Sequence, residues 1–390
     1  MRRGDGRRGD GRRSRAPAWL SGPAIAGAAI AVAACAGGCG ESGQAAPGER
    51  GSAGSAAERA EAGSAAPAPR EHKLERHGKA MGTSISVYFW TDDDAKATQA
   101  ADAVFAEMKR LDQVMTTWLP NSEVSLVNAA AGDRPVAVSD ETFAVIARAQ
   151  DIAVRTRGVF DITVGAFKGL WKFDQDMDGS LPDPAEIKKR LALIGYQQVA
   201  LDRGKRTVFL KKKGMSITLG GIAKGYAVDR CAELLRKLGY ANFMVQAGGD
   251  MYVAGRKGSD PWIVGIRDPR SPDGRYFALA PVEDHSFSTS GDYERGFVKD
   301  DVRYHHILDP RTGQPARASR SVTIRAKDAF TADAWSKVMF ILGPEEALKV
   351  IQREKLEDFE VIWVDDKNEV VVTDKIKTAL QLQRKPTPGI

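Results

Sequence analysis

The pattern of apolar and polar positions divides the chain into paired strands and irregularly spaced helices. Alternation with a period of two predicts strands, and apolar residues spaced three and four apart predict amphipathic helices. The predicted strands are 83–89, 217–219, 243–246, 251–254, 262–266, 360–363 and 369–372, and the predicted helices are 95–108, 140–155, 223–238, 332–342 and 345–352. This order favours an α+β fold, with mixed, largely antiparallel sheets flanked by helices, over a doubly wound parallel sheet.

Local residues set the ends of two of these helices. Ser139 precedes the helix predicted at 140–155, and its hydroxyl suits the N-cap position. Gly239 follows the helix predicted at 223–238, where a glycine commonly ends a helix. Both boundaries therefore have a physical reason in the sequence.

The first 39 residues have the composition of an export signal. Seven arginines and two aspartates give residues 1–39 a charge of +5 out of the net +6 of the chain. The apolar stretch that follows, Ala24 to Ala34, is too short to span a bilayer. It ends in Val32-Ala33-Ala34-Cys35, which resembles a bacterial lipobox, and Cys39 is a second candidate for lipidation. We expect a periplasmic protein with a lipid anchor in a bacterial membrane, and a plain cleaved signal peptide is the alternative.

The rest of the chain divides into a linker and one folded body. With a charge of only +1 outside the leader, the sequence does not favour nucleic acid as a partner. Residues 40–70 lack large apolar side chains and predict a disordered linker, so residues 71–390 form the folded body. Within it, Cys231 is the only cysteine, and its place in a predicted helix indicates a buried, unreactive thiol without a disulfide.

A glycine-rich segment between a predicted strand and a predicted helix is the first sign of chemistry. Residues 217–229 read Ile-Thr-Leu-Gly-Gly-Ile-Ala-Lys-Gly-Tyr-Ala-Val-Asp. Glycines let a ligand approach the backbone, and a helix N-terminus offers free N–H groups to a phosphate. The segment is not a P-loop, because Lys224 is followed by Gly225, and it lacks the Gly-x-Gly-x-x-Gly order of a dinucleotide-binding turn. It therefore predicts a phosphate-binding loop of another type.

Seven further polar motifs accompany this loop along the chain. They are Met-Gly-Thr at 81–83, Trp-Leu-Pro-Asn-Ser-Glu at 118–123, Phe-Asp-Ile-Thr-Val-Gly at 160–165, Gly-Gly-Asp at 248–250, Thr-Ser-Gly-Asp-Tyr at 289–293, His-His-Ile-Leu-Asp-Pro at 305–310 and Ala-Asp-Ala at 332–334. The whole set resembles the ApbE family, the FAD:protein FMN transferases, over about residues 79–375. The resemblance implies a single catalytic body with an α+β fold.

The resemblance also implies a reaction. FMN would move from FAD, the substrate, to a Thr or Ser hydroxyl of an exported or membrane redox protein, AMP would leave, and Mg²⁺ would be the cofactor. Catalysis of such a transfer depends mainly on positioning and on neutralising charge. Two other functions stay open, an FAD pyrophosphatase that uses water as the acceptor and a non-catalytic FAD-binding lipoprotein.

Residue roles follow from the same resemblance. His306 would be the catalytic acid or base, since a neutral imidazole accepts a proton near pH 7. The metal would be held by Asp333 and by the backbone near Gly221. The residues implied in binding FAD are Met81, Trp118, Val159, Phe160, Asp161, Thr218, Lys224 and Leu308. Ordinary roles compete for four of them: Met81 and Trp118 as core, Asp161 as a solvated or capping carboxylate, and Lys224 as an exposed lysine. The motif at 160–165 is interpreted as an apolar strand that carries Asp161.

Three positions depart from the usual pattern of the family. Thr218 stands where the family commonly has Asp. In the helix after Asp333, Ser336 stands where the family often has Asp or a small polar residue. Lys337, the next residue, stands where the family often has Thr. Because positions i and i+4 share a helix face, we expect Lys337 beside Asp333, and a protonated ammonium cannot ligate a metal.

The sequence leaves three consequences of this lysine open. In the first, Lys337 pairs with Asp333, contacts the pyrophosphate and supplies the charge that a second metal would otherwise give. In the second, Lys337 turns outward and Mg²⁺ still binds through Asp333. In the third, activity is lost. We favour a weakened metal site with retained catalysis.

Overall fold

The computed structural model of the protein describes residues 70–174 and 176–390. Within them the helices are α1 Asp94–Met115, α2 Glu123–Ala129, α3 Asp140–Arg155, α4 Pro184–Leu191, α5 Ala223–Lys237, α6 Ala329–Glu354 and α7 Asp374–Lys377. The strands are β1 His72–Ala80, β2 Thr83–Thr91, β3 Val136–Ala137, β4 Val199–Asp202, β5 Thr207–Leu210, β6 Phe243–Ala247, β7 Asp250–Ala254, β8 Trp262–Arg267, β9 Tyr276–Val282, β10 His285–Gly291, β11 Gly296–Lys299, β12 Val302–His305, β13 Ser319–Ala326, β14 Glu360–Asp365, β15 Val370–Val372 and β16 Gln381–Leu382.

An eight-stranded sheet forms the centre of the fold, in the order β1-β2-β6-β7-β10-β13-β14-β15. Each neighbouring pair in this sheet is antiparallel. Three smaller sheets, β16-β9-β8, β3-β5-β4 and β11-β12, lie around it and are antiparallel as well. The predicted α+β fold with largely antiparallel sheets is confirmed.

The central sheet is buried on both faces because its strands alternate between two hydrophobic cores. In β14, Val361 and Trp363 pack into the core that the sheet shares with α1, α3, α5 and α6. Ile362 and Val364 point the other way, into the core formed with β8 and β9. Successive side chains of a strand face opposite sides of a sheet, so both sets must be apolar. The two cores fix the sheet edges and helix ends that carry the polar motifs.

Several predicted boundaries agree with the structure. The helix predicted at 140–155 is α3, and the Ser139 hydroxyl caps it by accepting a hydrogen bond from the Thr142 N–H. Gly239 follows α5 with a φ of +91°, as expected of a glycine that ends a helix. The two helices predicted at 332–342 and 345–352 meet in α6 at a kink, where Gly343 has a φ of 71°.

Two strand predictions are wrong. Residues 217–219 belong to no sheet, because the Asn128 side chain takes the place of a neighbouring strand: it accepts from the Ile217 N–H at 2.7 Å and donates to the Ile217 carbonyl at 2.9 Å. The segment read as an apolar strand at 160–165 instead begins the 3₁₀ helix Ile162–Phe167, which the Asp161 carboxylate caps. In both places a polar side chain binds nearby backbone and competes with sheet pairing.

The predictions about export concern the N-terminal residues of the chain. The leader at 1–39 and nearly all of the linker at 40–70 lie outside the described residues, as do Cys35 and Cys39. Among the helices of residues 70–174 and 176–390, none has the length and apolar character needed to cross a membrane. Cys231 is a free, buried thiol, as predicted.

Candidate active site

A cavity of about 690 Å³ lies where motifs from distant parts of the chain meet. Residues of seven of the eight motifs line it, and the eighth lies beneath it with Asp333. The predicted site residues in its walls are Met81, Trp118, Val159, Phe160, Asp161, Thr218, Gly221, Lys224, His306 and Leu308. Its volume is typical of a small-molecule site. The fold therefore brings together side chains that the sequence places more than 200 residues apart, such as Met81 and His306.

Met81 reaches the cavity through a tight hairpin turn between β1 and β2. Met81 and Gly82 have φ values of 52° and 68°, the left-handed pair that a type I′ turn requires. The Met81 N–H donates to the Asp112 carboxylate at 3.0 Å, which ties the turn to α1. Met81 is half-buried at the edge of the larger core and also faces the cavity, so its thioether is available to a ligand.

Trp118 is an exposed aromatic side chain at the cavity wall. Its side chain is 69% exposed, which excludes a role in the core. Lys168 lies over the ring, with Nζ 4.5 Å from the ring centroid, and donates to the Thr117 carbonyl at 2.6 Å. An exposed indole held in a fixed turn is suited to stacking on a flat heterocycle.

Asp161 is a buried cap, although it also lines the cavity. Its carboxylate accepts hydrogen bonds from the N–H and the hydroxyl of Thr163 and from the N–H of Tyr196, at 2.8, 2.7 and 2.8 Å. Burial raises the pKa of Asp161, and these hydrogen bonds oppose the rise. The capping role considered for this side chain is thus present, and the carboxylate holds the 3₁₀ helix beside the neighbouring Val159 and Phe160.

Two carboxylates and two ammonium groups meet at the base of the cavity. Nζ of Lys224 lies 2.9 Å from Oδ2 of Asp250 and 3.8 Å from Oδ2 of Asp333. Nζ of Lys337 pairs with Oδ1 of Asp333 and donates to the Asp333 carbonyl at 2.9 Å. Asp250 is 2% exposed and Asp333 is fully buried, and buried carboxylates persist where cations pair with them. Lys224 is therefore part of an ion-pair cluster and not an exposed lysine.

Neutral donors complete this cluster. Oδ1 of Asp250 accepts from the Ser288 hydroxyl at 2.5 Å, and Oδ2 of Asp333 accepts from the Gly225 N–H at 2.9 Å. Each of the four carboxylate oxygens thus has a donor from the protein. The positions of both carboxylates are fixed from several sides, as a preorganised site requires.

The charges of the cluster shift the pKa values of its members. Burial works to raise the pKa of Asp250, but Lys224 and Lys337 outweigh it and lower that pKa below its ordinary value. Burial and the neighbouring Asp250 raise the pKa of Asp333, against the opposing effect of the two lysines. Burial works to lower the pKa of Lys224, but Asp250 and Asp333 reverse this and raise it, so Lys224 keeps its charge.

The predicted metal site does not fit this arrangement. Mg²⁺ is commonly bound by one or two carboxylates together with water and phosphate oxygens. Here Lys337 and Gly225 occupy the two carboxylate oxygens of Asp333. A Cβ built on Gly221 would lie 4.0 Å from Cε of Lys337, so the lysine side chain lies beside the loop that carries the second predicted ligand. Among the residues that the structure describes, no group of three or more His, Cys, Asp or Glu side chains is placed to hold a metal ion.

The other two departures from the family pattern have structural partners. The Thr218 N–H donates to the Ile162 carbonyl at 2.8 Å, and its hydroxyl accepts from the Gly220 N–H at 3.3 Å, which shapes the glycine loop. The buried Ser336 hydroxyl lies 2.7 Å from the Ser290 hydroxyl and 2.7 Å from the Asp333 carbonyl. Ser336 thus joins α6 to β10 and is absent from the cavity wall.

The two adjacent histidines have different environments. His305 is buried: its Nε2–H donates to the Ala316 carbonyl at 2.8 Å and its Nδ1 accepts from the Ile307 N–H at 3.3 Å, so the ring is neutral. His306 faces the cavity and its side chain is accessible from it. Desolvation among the cavity walls, and then the positive charge of Arg295, hold the pKa of His306 well below its ordinary value. His306 is the histidine available for proton transfer.

Two charged residues of the site, Asp250 and Arg295, have no role predicted from the sequence. Asp250 follows a Gly-Gly turn and begins an otherwise apolar strand, and a carboxylate there is a signal that it has a buried partner. Arg295 lines the cavity, with Nη1 3.1 Å from Oδ1 of Asp174. Nothing in the local sequence marks Arg295, because its position depends on the packing of the β10–β11 connection against the β1–β2 turn.

The sequence model of the ApbE family matches residues 81–363, which is most of the folded body. The chain belongs to the ApbE family. Among curated relatives, an FAD:protein FMN transferase of Klebsiella pneumoniae is 33% identical over 294 residues, covering 75% of this chain and 89% of the relative. An FAD:protein FMN transferase of Treponema pallidum is 33% identical over 306 residues, covering 74% of this chain and 84% of the relative.

Solved structures of the ApbE family share the fold. The ApbE protein of Thermotoga maritima superposes with a TM-score of 0.72 at 34% identity, covering 79% of this chain and 99% of that structure. The flavin transferase ApbE of Vibrio cholerae gives a TM-score of 0.71 at 27% identity, with the same coverage of 79% and 99%. The resemblance inferred from the eight motifs, and with it the predicted class of flavin transferase, is confirmed.

Proposed function

We propose that this member of the ApbE family transfers FMN from FAD to a Thr or Ser hydroxyl of an exported or membrane redox protein and releases AMP. One observation carries the proposal: Lys224, Lys337 and Arg295 line a single cavity that also contains an exposed indole and an accessible, neutral histidine. Cations that converge in a partly enclosed site suit a pyrophosphate. The names of the relatives supply the class of reaction.

The proposed step is a direct displacement at phosphorus. The oxygen of the acceptor hydroxyl attacks the phosphorus of the FMN half of FAD, and the bond from that phosphorus to the bridging oxygen breaks. AMP leaves with the electron pair of the broken bond, and His306 takes the proton of the hydroxyl. Lys224, Lys337 and Arg295 line the cavity and oppose the negative charge of the two phosphates.

The rings of FAD have partners in the same cavity. Trp118 offers an exposed face for stacking, and Met81 and Phe160 offer apolar contacts. Such contacts would fix where the phosphates lie relative to His306, and positioning of this kind lowers the barrier of a transfer reaction. Mg²⁺, which the resemblance implied, takes no part in these steps because the oxygens of Asp333 already have partners.

Intact-mass spectrometry tests the proposed transfer. The full chain is incubated with FAD and a purified exported redox protein, and the mass of that protein is measured. A gain of one FMN group supports the proposal, and the His306→Ala variant should lose the gain. Release of free FMN without a mass gain identifies a pyrophosphatase, and unchanged FAD identifies a binding protein; either result rejects the proposed transfer.

We also propose that the protein acts in the periplasm from a lipid anchor. Cys35 lies where the apolar stretch of the leader ends, and seven arginines precede that stretch. Labelling with a fatty-acid analogue tests the anchor in cells that express the full chain. Label that is lost in Cys35→Ser or in Cys39→Ser identifies the modified residue, and an unlabelled wild-type protein rejects the anchor.

A further inference from the structure

We propose that the ammonium group of Lys337 takes the place of a divalent cation in this chain, so that the site binds FAD and transfers FMN without Mg²⁺. The inference rests on the proposed function for the transfer step. Its structural part, that Lys337 excludes a metal from Asp333, stands on geometry alone.

Lys337 is fixed beside Asp333 by the helix and by burial. The two residues are four positions apart in α6, so their side chains share one face. Asp333 is fully buried and the side chain of Lys337 is 18% exposed. If Lys337 turned outward, Asp333 would keep a buried charge without its nearest cation, which is strongly unfavourable. The outward rotamer considered from the sequence is therefore disfavoured.

The ammonium group also faces the place where phosphate would bind. Lys337 lines the cavity, and its Cε approaches the Gly221 loop. An ammonium has three N–H donors, and Asp333 accepts two of them, through Oδ1 and through its carbonyl oxygen. One donor remains for an oxygen of the FAD pyrophosphate. A lysine in this position supplies both the charge and the contact that a bound cation would supply.

The charge balance of the cluster supports the same conclusion. Asp250 and Asp333 are balanced by Lys224 and Lys337, so the cluster is electrically complete without a metal. With a neutral residue in place of Lys337, one negative charge would be left beside the phosphates. A divalent cation would then be required to make the site attractive to FAD. Lys337 removes that requirement.

Calorimetry and transfer assays on three variants of the full chain test the inference. Lys337→Thr removes the cation and frees an oxygen of Asp333, and Lys337→Met removes the cation without offering an oxygen ligand. Lys349→Thr changes a 60% exposed lysine on the same helix and serves as the control. Mg²⁺ binding is titrated by calorimetry, FAD binding by flavin fluorescence, and FMN transfer by intact mass, each with excess EDTA or excess Mg²⁺.

The wild-type chain and Lys349→Thr should bind FAD and transfer FMN equally well in EDTA and in Mg²⁺, with no Mg²⁺ binding detected. Lys337→Thr should bind Mg²⁺, lose transfer by about tenfold or more in EDTA, and recover it in Mg²⁺. Lys337→Met should stay impaired in both conditions. Wild-type transfer that stops in EDTA and returns with Mg²⁺ overturns the inference, as does Mg²⁺ binding by the wild-type chain.

The binding data separate this inference from the proposed function. If no variant transfers FMN but Lys337→Thr alone gains Mg²⁺ binding, the displacement of the metal by Lys337 stands and the proposed transfer fails. If wild-type transfer is observed but needs Mg²⁺, the proposed transfer stands and the inference about Lys337 fails.

Discussion

Gly225 and Asp333 are in direct contact where α5 crosses α6. The Gly225 N–H donates to Oδ2 of Asp333 at 2.9 Å, and a Cβ at position 225 would lie 2.7 Å from Cβ of Asp333 and 2.3 Å from the Ala329 carbonyl oxygen. Only glycine allows this approach, since both neighbours are fixed atoms of a packed helix. The contact sets the position of the glycine loop relative to the acidic cluster.

The first prediction is that Gly225→Ala separates α5 from α6. Overpacking of this kind typically costs about 1–3 kcal/mol of the free energy of unfolding, and we expect FAD affinity to fall as well because Lys224 moves away from Asp333. Thermal unfolding and flavin fluorescence measure the two effects. Gly204→Ala is a matched control, since a Cβ there meets only Oδ1 of Asp202, at 3.5 Å. Equal stability of both variants would contradict the prediction.

The second prediction concerns the pair formed by Lys224 and Asp250. Lys224→Met leaves Asp250 with a buried, unpaired charge, and loss of one partner of such a pair costs about 3–5 kcal/mol. Denaturant unfolding should therefore show a large loss of unfolding free energy for Lys224→Met. The loss should be smaller when Lys224→Met is combined with Asp250→Asn. If the loss of unfolding free energy in the double variant equals the sum of the losses in Lys224→Met and in Asp250→Asn, the two side chains do not interact as described.

The third prediction is a pH dependence of stability that comes from His305. Burial lowers the pKa of His305 to about 4, while the unfolded chain keeps the ordinary value of 6.5. The folded state then binds fewer protons than the unfolded state between these values. The contribution of His305 is fully present above pH 6.5 and is lost as the pH falls towards 4, by about 3 kcal/mol.

Urea unfolding at a series of pH values checks this third prediction. His305→Gln keeps an amide donor for the Ala316 carbonyl but does not titrate, so its stability should fall less steeply between pH 6.5 and pH 4 than that of the wild-type chain. Parallel pH profiles for wild type and His305→Gln would show that His305 is not the titrating group.

The fourth prediction is the pH profile of the transfer reaction. Because the pKa of His306 lies well below its ordinary value, the neutral base persists in mildly acidic solution, and kcat/KM should not decline as the pH falls from neutrality to 6.5. Arg295→Gln removes one of the charges that lower this pKa, so the acidic limb should move to higher pH. Arg256→Gln, which changes an exposed arginine paired with Glu283, serves as the control. If the acidic limb of Arg295→Gln is the same as that of the wild-type chain and of the control, Arg295 does not lower the pKa of His306.

The sequence predicts the elements of this fold better than their long-range partners. Ser139 and Gly239 mark the start of α3 and the end of α5 because caps depend on local residues. The strand predicted at 217–219 is wrong because Asn128, 89 residues away, binds the backbone of Ile217. The periodicity of a short stretch of sequence carries no information about a contact between residues so far apart.

The same distinction holds for the site. The spacing of Asp333 and Lys337 within one helix predicts their contact, and the structure contains it. The pairing of Lys224 with Asp250 joins the first turn of α5 to the start of β7, and it follows only from the packing of α5 on the central sheet. The motifs identify which residues form the site, but the ion pairs that decide its charge are a property of the fold.

The intact mass of a protein acceptor after incubation with FAD in excess EDTA tests the central claim most directly, followed by peptide mapping of the product. We expect a gain of one FMN group on a Thr or Ser residue, equal in EDTA and in Mg²⁺ and absent with His306→Ala. An acceptor of unchanged mass in both conditions, with FAD intact or hydrolysed, would contradict the assignment of this cavity as a flavin transfer site.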